Sequence, residues 1–374
     1  MTNISFISGT RADYGKIKPY IDFLYNQENK KVFVFTTGMN MLKKYGSTYK
    51  FIKSDLKKKC IVRTDKKFKP TSTALETAHI LKTYDKHLKK DKIDFVFVHG
   101  DRPEVLAAAQ AAVFNNIPVC HIEAGDFSGS VDELIRHATS KLSHRFLVAD
   151  EMAKQTLLQM GEKEDSIFIT GNSSLAFKIE DPTKKELSLL NSYKNYGVLI
   201  YHPVTTLDKK ILKEEIDSLM SALDKSEKDY VVILPNNDLG SEIILKTYQK
   251  YATNEKFHFI KSFSFNAFNY VLKNADFLIG NSSCGIKEAP FYQVPVIDIG
   301  CRQNNRFEHL NLKDFYHLND LSKIEETILK IQNKKKKPIK YHYREAFFKT
   351  LKKVFTDDFF KTKVQKEFSK LEKE

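Results

Sequence analysis

Short apolar runs alternate with longer amphipathic stretches along most of this 374-residue chain. In the first half, residues 4–8, 31–36, 95–99, 119–122 and 145–148 are rich in Ile, Val and Phe and have the length of strands. Residues 16–26, 74–88, 104–114 and 131–143 between them read as helices. Strand alternating with helix predicts right-handed βαβ units around a parallel sheet. The strand runs are apolar throughout, as expected when helices cover both faces. The alternation pauses over residues 172–195, a polar, Lys-rich stretch containing Pro182. It resumes with strands at 198–201, 230–234, 257–260, 277–279 and 294–297 and helices at 209–226, 241–251, 266–273 and 284–292. The fold class predicted is α/β: two Rossmann-like, doubly wound domains with a cleft between them, at residues 1–172 and 173–340. A charged helical stretch, 341–374, is expected to pack back across the domains.

Ligands of such sheets bind beyond the carboxyl ends of the strands, so the residues just past each strand carry the chemistry. The first strand runs into Gly9-Thr10-Arg11-Ala12-Asp13-Tyr14-Gly15-Lys16. A glycine turn leading to a helix start, with Arg11 and Lys16 close by, suits a phosphate; an ordinary strand-helix turn with surface charges fits equally well. Asp101 follows a strand in His99-Gly100-Asp101-Arg102 and, taken alone, reads as the cap of the next helix. Glu123 follows another strand, and Glu133 and Arg136 lie one turn apart at the start of a helix, where they could pair. Asp101, Glu123 and Glu133 would converge on one end of one sheet, which suits proton transfer. In the second half His202 and Asn236 follow strands. Gly280-Asn281-Ser282-Ser283-Cys284 presents small residues at a helix start, a second place for a diphosphate, with Glu288 further along that helix.

Composition narrows the partners. The chain carries 61 Lys+Arg against 47 Asp+Glu, a net +14. The lysines are dispersed, apart from a cluster at 334–337, and no nucleic-acid-binding motif accompanies them. Nucleic acid is therefore not an expected partner, and a phosphorylated small molecule is. Four cysteines without a C-x-x-C pair argue against a structural zinc. With no signal-peptide pattern and no run of membrane-spanning length, a cytoplasmic protein without membrane contact is expected.

Taken in order, Gly9–Tyr14, His99–Arg102, His121–Glu123, Ser140–His144, Gln159–Lys163, His202–Thr206, Pro235–Asp238 and Gly280–Ser283 resemble the hydrolysing UDP-N-acetylglucosamine 2-epimerases of sialic-acid synthesis over nearly the whole chain. The resemblance implies a GT-B-like fold, with the sugar chemistry in the first domain and UDP in the second. It implies loss of the sugar C2 proton and of UDP to give a 2-acetamidoglucal, then addition of water to give N-acetylmannosamine. It implies acid/base roles for Asp101, Glu123 and Glu133, and a requirement for His202 beside the diphosphate. Arg11, Lys16, Arg136, Asn236, Phe263, Ser282, Ser283, Cys284 and Glu288 match nucleotide-sugar positions, with Phe263 beside the uracil. No cofactor or metal is implied, and relatives imply a homodimer.

Two features depart from the sialic-acid pattern: Ala124 in place of Gly, and Thr170-Gly171-Asn172-Ser173-Ser174-Leu175 in place of Gly-Ser-Pro-Asp. Both are expected near the sugar. They keep open a UDP-2,4-diacetamido-2,4,6-trideoxyglucose substrate on a legionaminic-acid route. A glycosyltransferase on the same fold is a further alternative, which would not need three carboxylates.

Overall fold

The computed structural model describes residues 1–367 apart from 58, 129–130, 177–181, 191, 237, 262, 308–309, 311 and 332–342. The lysine cluster at 334–337, Asn237 and both ends of the C-terminal stretch lie outside the described residues. The chain forms two compact units: residues 1–127, 132–178 and 341–374, and residues 128–131 and 179–340.

Unit 1 contains seven strands: β1 (Thr2–Ser8), β2 (Lys30–Thr36), β3 (Ile61–Thr64), β4 (Phe95–His99), β5 (Val119–Ile122), β6 (Arg145–Val148) and β7 (Ile167–Ile169). They form one parallel sheet in the order β3-β2-β1-β4-β5-β6-β7. Side chains alternate between two apolar layers. Ile4, Phe6, Phe95 and Phe97 face one layer, with Ile17, Ile21 and Leu24 of the helix Arg11–Tyr25. Phe347 and Leu351 of the helix Tyr343–Val354 complete that layer, as does Phe359. Ile7, Val96 and Val98 face the other, closed by the helices Thr73–Lys90 and Pro103–Phe114.

Unit 2 contains β8 (Tyr196–Ile200), β9 (Asp229–Ile233), β10 (Phe257–Ile260), β11 (Phe277–Gly280), β12 (Val296–Ile299) and β13 (Phe315–Leu318), parallel in the order β10-β9-β8-β11-β12-β13. Leu199 and Ile279 face one apolar layer, and Val198, Ile200 and Leu278 the other. In each sheet the strand order reverses beside the first strand, between β1 and β4 and between β8 and β11. The crevice of a doubly wound sheet opens at that switch point. Among the described residues, no helix is long and apolar enough to cross a membrane.

Some boundaries differ from the sequence expectation. The helix expected from residue 16 begins at Arg11, because Thr10 caps it. The helix expected over 284–292 is a single turn, Cys284–Lys287. Pro290 lacks the N–H to continue it, and its ring collides with the preceding turn of a helix.

Candidate active site

In unit 1 the turn after β1 is organised by its own side chains. Asp13 N–H donates to Thr10 Oγ1 (3.1 Å), and Thr10 N–H donates to Asp13 Oδ2 (2.9 Å). Two donors of the expected phosphate cradle are thus already satisfied. The Glu104 carboxylate also fills the space left by the missing side chains: a Cβ on Gly9 or Gly38 would lie 2.6 Å from its Oε1. This turn is closed and acidic, which weighs against its being an open phosphate cradle. Lys16 Nζ pairs with Glu123 Oε2 at 3.2 Å. Arg11 lies over the Phe51 ring, 5.1 Å from its centroid.

Glu123 follows β5 in a left-handed conformation, φ +57°. A non-glycine residue held there costs on the order of 1 kcal/mol, and such strain is found preferentially at functional positions. Its side chain is buried. Besides Lys16, it meets His99 Nε2 at 3.4 Å, and His99 Nδ1 lies 4.0 Å from Asp13 Oδ1. Asp13, His99, Glu123 and Lys16 thus form a buried chain of alternating acid and base across the ends of β1, β4 and β5. Asp13 and His99 lie inside two of the sequence motifs, but sequence reasoning missed a role for either. The available signal was their place in the topology: His99 ends β4, and Asp13 lies in the first turn of the helix after β1.

Asp101 is not a helix cap. The helix Pro103–Phe114 has Arg102 at its N-cap position and no side-chain cap. Asp101 instead pairs with Arg136, whose side chain is 2% exposed. The partner expected for Arg136 on its own helix was Glu133, and Asp101 has taken that place. A second Arg136 donor reaches Asp126 O at 3.0 Å. Burial opposes the guanidinium's charge, but Asp101, Asp126, Glu123 and Asp132 outweigh it, so Arg136 stays charged. Glu133 is half-buried one turn before His137 and holds that ring's charge up against the effect of burial.

The Gly100–Asp101 turn is anchored from below. His121, fully buried, donates from Nε2 to Gly100 O (2.7 Å) and so offers Nδ1 to the Ser140 hydroxyl (2.9 Å). Burial drives its pKa down to about 3, with the Gly100 bond opposing. The unfolded ring titrates near 6.5, so the unfolded chain takes up this proton first. The stability involved is complete above about pH 6.5 and declines as pH falls toward 3, by up to about 1.4 kcal/mol per unit. Denaturant midpoints should therefore fall from pH 7 to pH 5, and less steeply in His121→Gln. An unchanged slope in that variant would remove His121 from the effect.

Ala124 is fully buried in an apolar cluster with Phe146, Val148 and Leu157. Its methyl packs into that cluster, directly after Glu123 in the chain.

In unit 2, His202 follows β8 and Asn281 follows β11, on either side of the switch point. The Asn281 side chain grips the His202 backbone: His202 N–H donates to Asn281 Oδ1 (2.8 Å), and Asn281 Nδ2 donates to His202 O (2.8 Å). His202 Nδ1 accepts the Asn236 N–H at 3.2 Å. The proton of the neutral ring is thereby assigned to Nε2, a donor suited to a phosphate oxygen. Asn236 also bonds the Asp238 carboxylate. Ser282 and Ser283 are half-buried at the start of the turn Cys284–Lys287, and Ser282 Oγ accepts the Cys284 N–H at 3.4 Å. Gly280, φ +131°, is required here, since a Cβ would lie 2.0 Å from Ile200 O. Cys284 and Phe263 are buried in the apolar layer with Val271 and Leu278, so Cys284 can offer a ligand its backbone but not its thiol. Glu288 is 4% exposed. Sequence reasoning missed Gln303 and Arg302, which donate to Asn281 O at 2.8 and 3.3 Å and brace the serine turn. Among the described residues, no cluster of His, Cys, Asp or Glu is arranged to hold a metal ion.

A family model described as UDP-N-acetylglucosamine 2-epimerase matches residues 24–350. The chain is 39% identical to a UDP-N-acetylglucosamine 2-epimerase of Neisseria meningitidis over 82% of its length and 81% of the relative's. It is 36% identical to a UDP-N,N'-diacetylbacillosamine 2-epimerase (hydrolyzing) of Legionella pneumophila, covering 83% of this chain and 84% of that one. A solved Methanocaldococcus jannaschii UDP-GlcNAc 2-epimerase, in complex with UDP-GlcNAc and UDP, shares the fold with a TM-score of 0.79 at 22% identity, over 94% of this chain and 99% of that one. With two doubly wound sheets carrying acidic groups at one switch point and a His–Asn–Ser cluster at the other, the chain belongs to the UDP-N-acetylglucosamine 2-epimerase family.

Proposed function

We propose that this protein is a hydrolysing UDP-N-acetylglucosamine 2-epimerase that forms N-acetylmannosamine and UDP for sialic-acid-type sugars. The observation that carries the reading is Glu123: a buried carboxylate in a left-handed conformation at the end of β5, flanked by Lys16 and His99. A C2 proton beside an acetamido group is weakly acidic, so its removal needs a positioned base. Breaking C2–H and C1–O together expels UDP and leaves the 2-acetamidoglucal. Delivery of a proton to C2 from the opposite face, and bonding of a water oxygen to C1 with loss of one of its protons, completes the balance. Glu123, Asp101 and Glu133 share the proton transfers. His202 Nε2, Ser282, Ser283 and the turn's backbone N–H groups stabilise the departing diphosphate, where preformed donors act without covalent catalysis. Asn236, Phe263 and Glu288 hold the nucleoside. The reading also includes a cytoplasmic homodimer.

The Legionella relative supports a second reading, the 2,4-diacetamido sugar nucleotide as substrate. Proton NMR in deuterated water, on each UDP-sugar separately, tests both. Free UDP and N-acetylmannosamine with deuterium at C2 are expected from UDP-N-acetylglucosamine. Turnover of the diacetamido substrate alone selects the second reading, and a product still linked to UDP overturns hydrolysis.

A further inference from the structure

The turn after β7 and Glu123 are both bonded to the end of β6. Thr170 and Gly171 N–H both donate to Val148 O at the end of β6 (2.9 and 3.3 Å), and Glu123 N–H donates to Leu147 O one residue earlier (2.9 Å). Glu123 and this turn thus sit at the same end of the sheet, on either side of β6. β7 is a three-residue edge strand, so the sheet itself does little to hold the turn in place.

Side chains hold it instead. Ser174 N–H and Oγ both donate to Asn172 Oδ1, at 3.0 and 2.7 Å. Tyr20 Oη lies 3.2 Å from Thr170 Oγ1. Two successive residues at the start of the helix Tyr343–Val354 close the other side. Arg344 Nη1 donates to Ala176 O at 2.6 Å, and the Tyr343 oxygen receives the Asn172 N–H. Gly171, φ +83°, leaves the room this needs: a Cβ there would lie 2.3 Å from the Tyr343 hydroxyl. Tyr20 and Tyr343 both meet the Phe347 ring, at 5.3 and 6.4 Å between centroids. Burial keeps both phenols protonated, and the charge of Glu123 reaches both and adds to that effect. Lys16, His99 and Arg136 also face Glu123.

We propose that Tyr343 is a positioning residue: the start of the C-terminal helix clamps the 170–176 turn, across β6 from Glu123 at the same end of the sheet, and so sets the wall against which the sugar is held for deprotonation. The sugar assignment rests on the function proposed above; the clamp does not. This turn carries the Thr170–Leu175 departure from the sialic-acid pattern.

Tyr343→Phe, Gly171→Ala and the double variant test it with two readouts. Hydrogen exchange reads the clamp without any substrate: the Asn172 amide should lose at least tenfold protection in Tyr343→Phe, with Tm within a few degrees of wild type. Unchanged protection overturns the clamp. In UDP release from UDP-N-acetylglucosamine, Tyr343→Phe should lower kcat about tenfold, with KM within twofold and UDP affinity unchanged. Gly171→Ala should lose at least as much. Its methyl collides with a hydroxyl that Phe lacks, so the double variant should lose no more than Gly171→Ala alone. Wild-type kcat in Tyr343→Phe, or losses that multiply, overturn the positioning role. A wild-type protein that releases no UDP overturns the proposed function instead, and the exchange result still decides the clamp.

Discussion

Glu123→Gln should lower kcat for UDP release by about a thousandfold while leaving UDP affinity within a factor of two. Glutamine keeps the size of the side chain and an oxygen for Lys16 Nζ, now 3.2 Å away, but it cannot exchange a proton with carbon. General acid/base catalysis contributes roughly 10²–10⁴-fold, and a base that must deprotonate a weak carbon acid belongs in the upper part of that range. A thousandfold corresponds to about 4 kcal/mol of barrier. Strain at φ +57° is the same for Glu and Gln, so the fold should tolerate the change. UDP affinity is the discriminating measurement. In the proposed function it rests on His202, Ser282 and Ser283, and calorimetry with UDP should show it intact. A loss below tenfold would remove Glu123 from the proton transfers, and a matching loss of UDP affinity would give it a binding role instead.

The central strands were legible because they are buried on both faces and read as unbroken apolar runs. β4, β5 and β6 were placed to the residue. The strands that escaped, β3, β7 and β13, are all sheet edges, and none of them is buried along its length. Half-exposed strands of three or four residues carry too little periodicity to stand out. The strand-end rule likewise brought Asp101, Glu123, His202 and Asn236 into view, since it depends on topology alone. Partnership was the illegible part. Asp101 looked like a cap and Arg136 like the neighbour of Glu133, because local rules govern residues close in sequence. Their pairing spans 35 residues and depends on β5 lying between β4 and β6, which only the assembled sheet decides. Tyr343 was invisible for the same reason: its partner, Asn172, is half a chain away.

Asp101→Asn should damage the protein twice, in turnover and in stability. Arg136 is among the largest fully buried side chains, and Asp101 is its counter-ion. Breaking a buried pair by removing one partner costs about 3–5 kcal/mol, because the other charge stays behind. Asp101 itself is 26% exposed, and Arg136 keeps its bond to Asp126 O, so a loss of roughly 2–3 kcal/mol is the better figure. For a unit of this size, that lowers Tm by about 4–10 °C. Turnover should fall at least a hundredfold if the carboxylate moves a proton. The two effects separate in the double variant Asp101→Asn/Arg136→Met. With the buried charge gone, the penalty for its isolation disappears, so calorimetry should show Tm rising again toward wild type. Activity should not return, since neither side chain can then exchange a proton. Activity recovered along with Tm would make Asp101 only the partner of Arg136. A Tm unchanged by Asp101→Asn would show that the Asp126 carbonyl and the carboxylates of Glu123 and Asp132 hold the buried guanidinium without it.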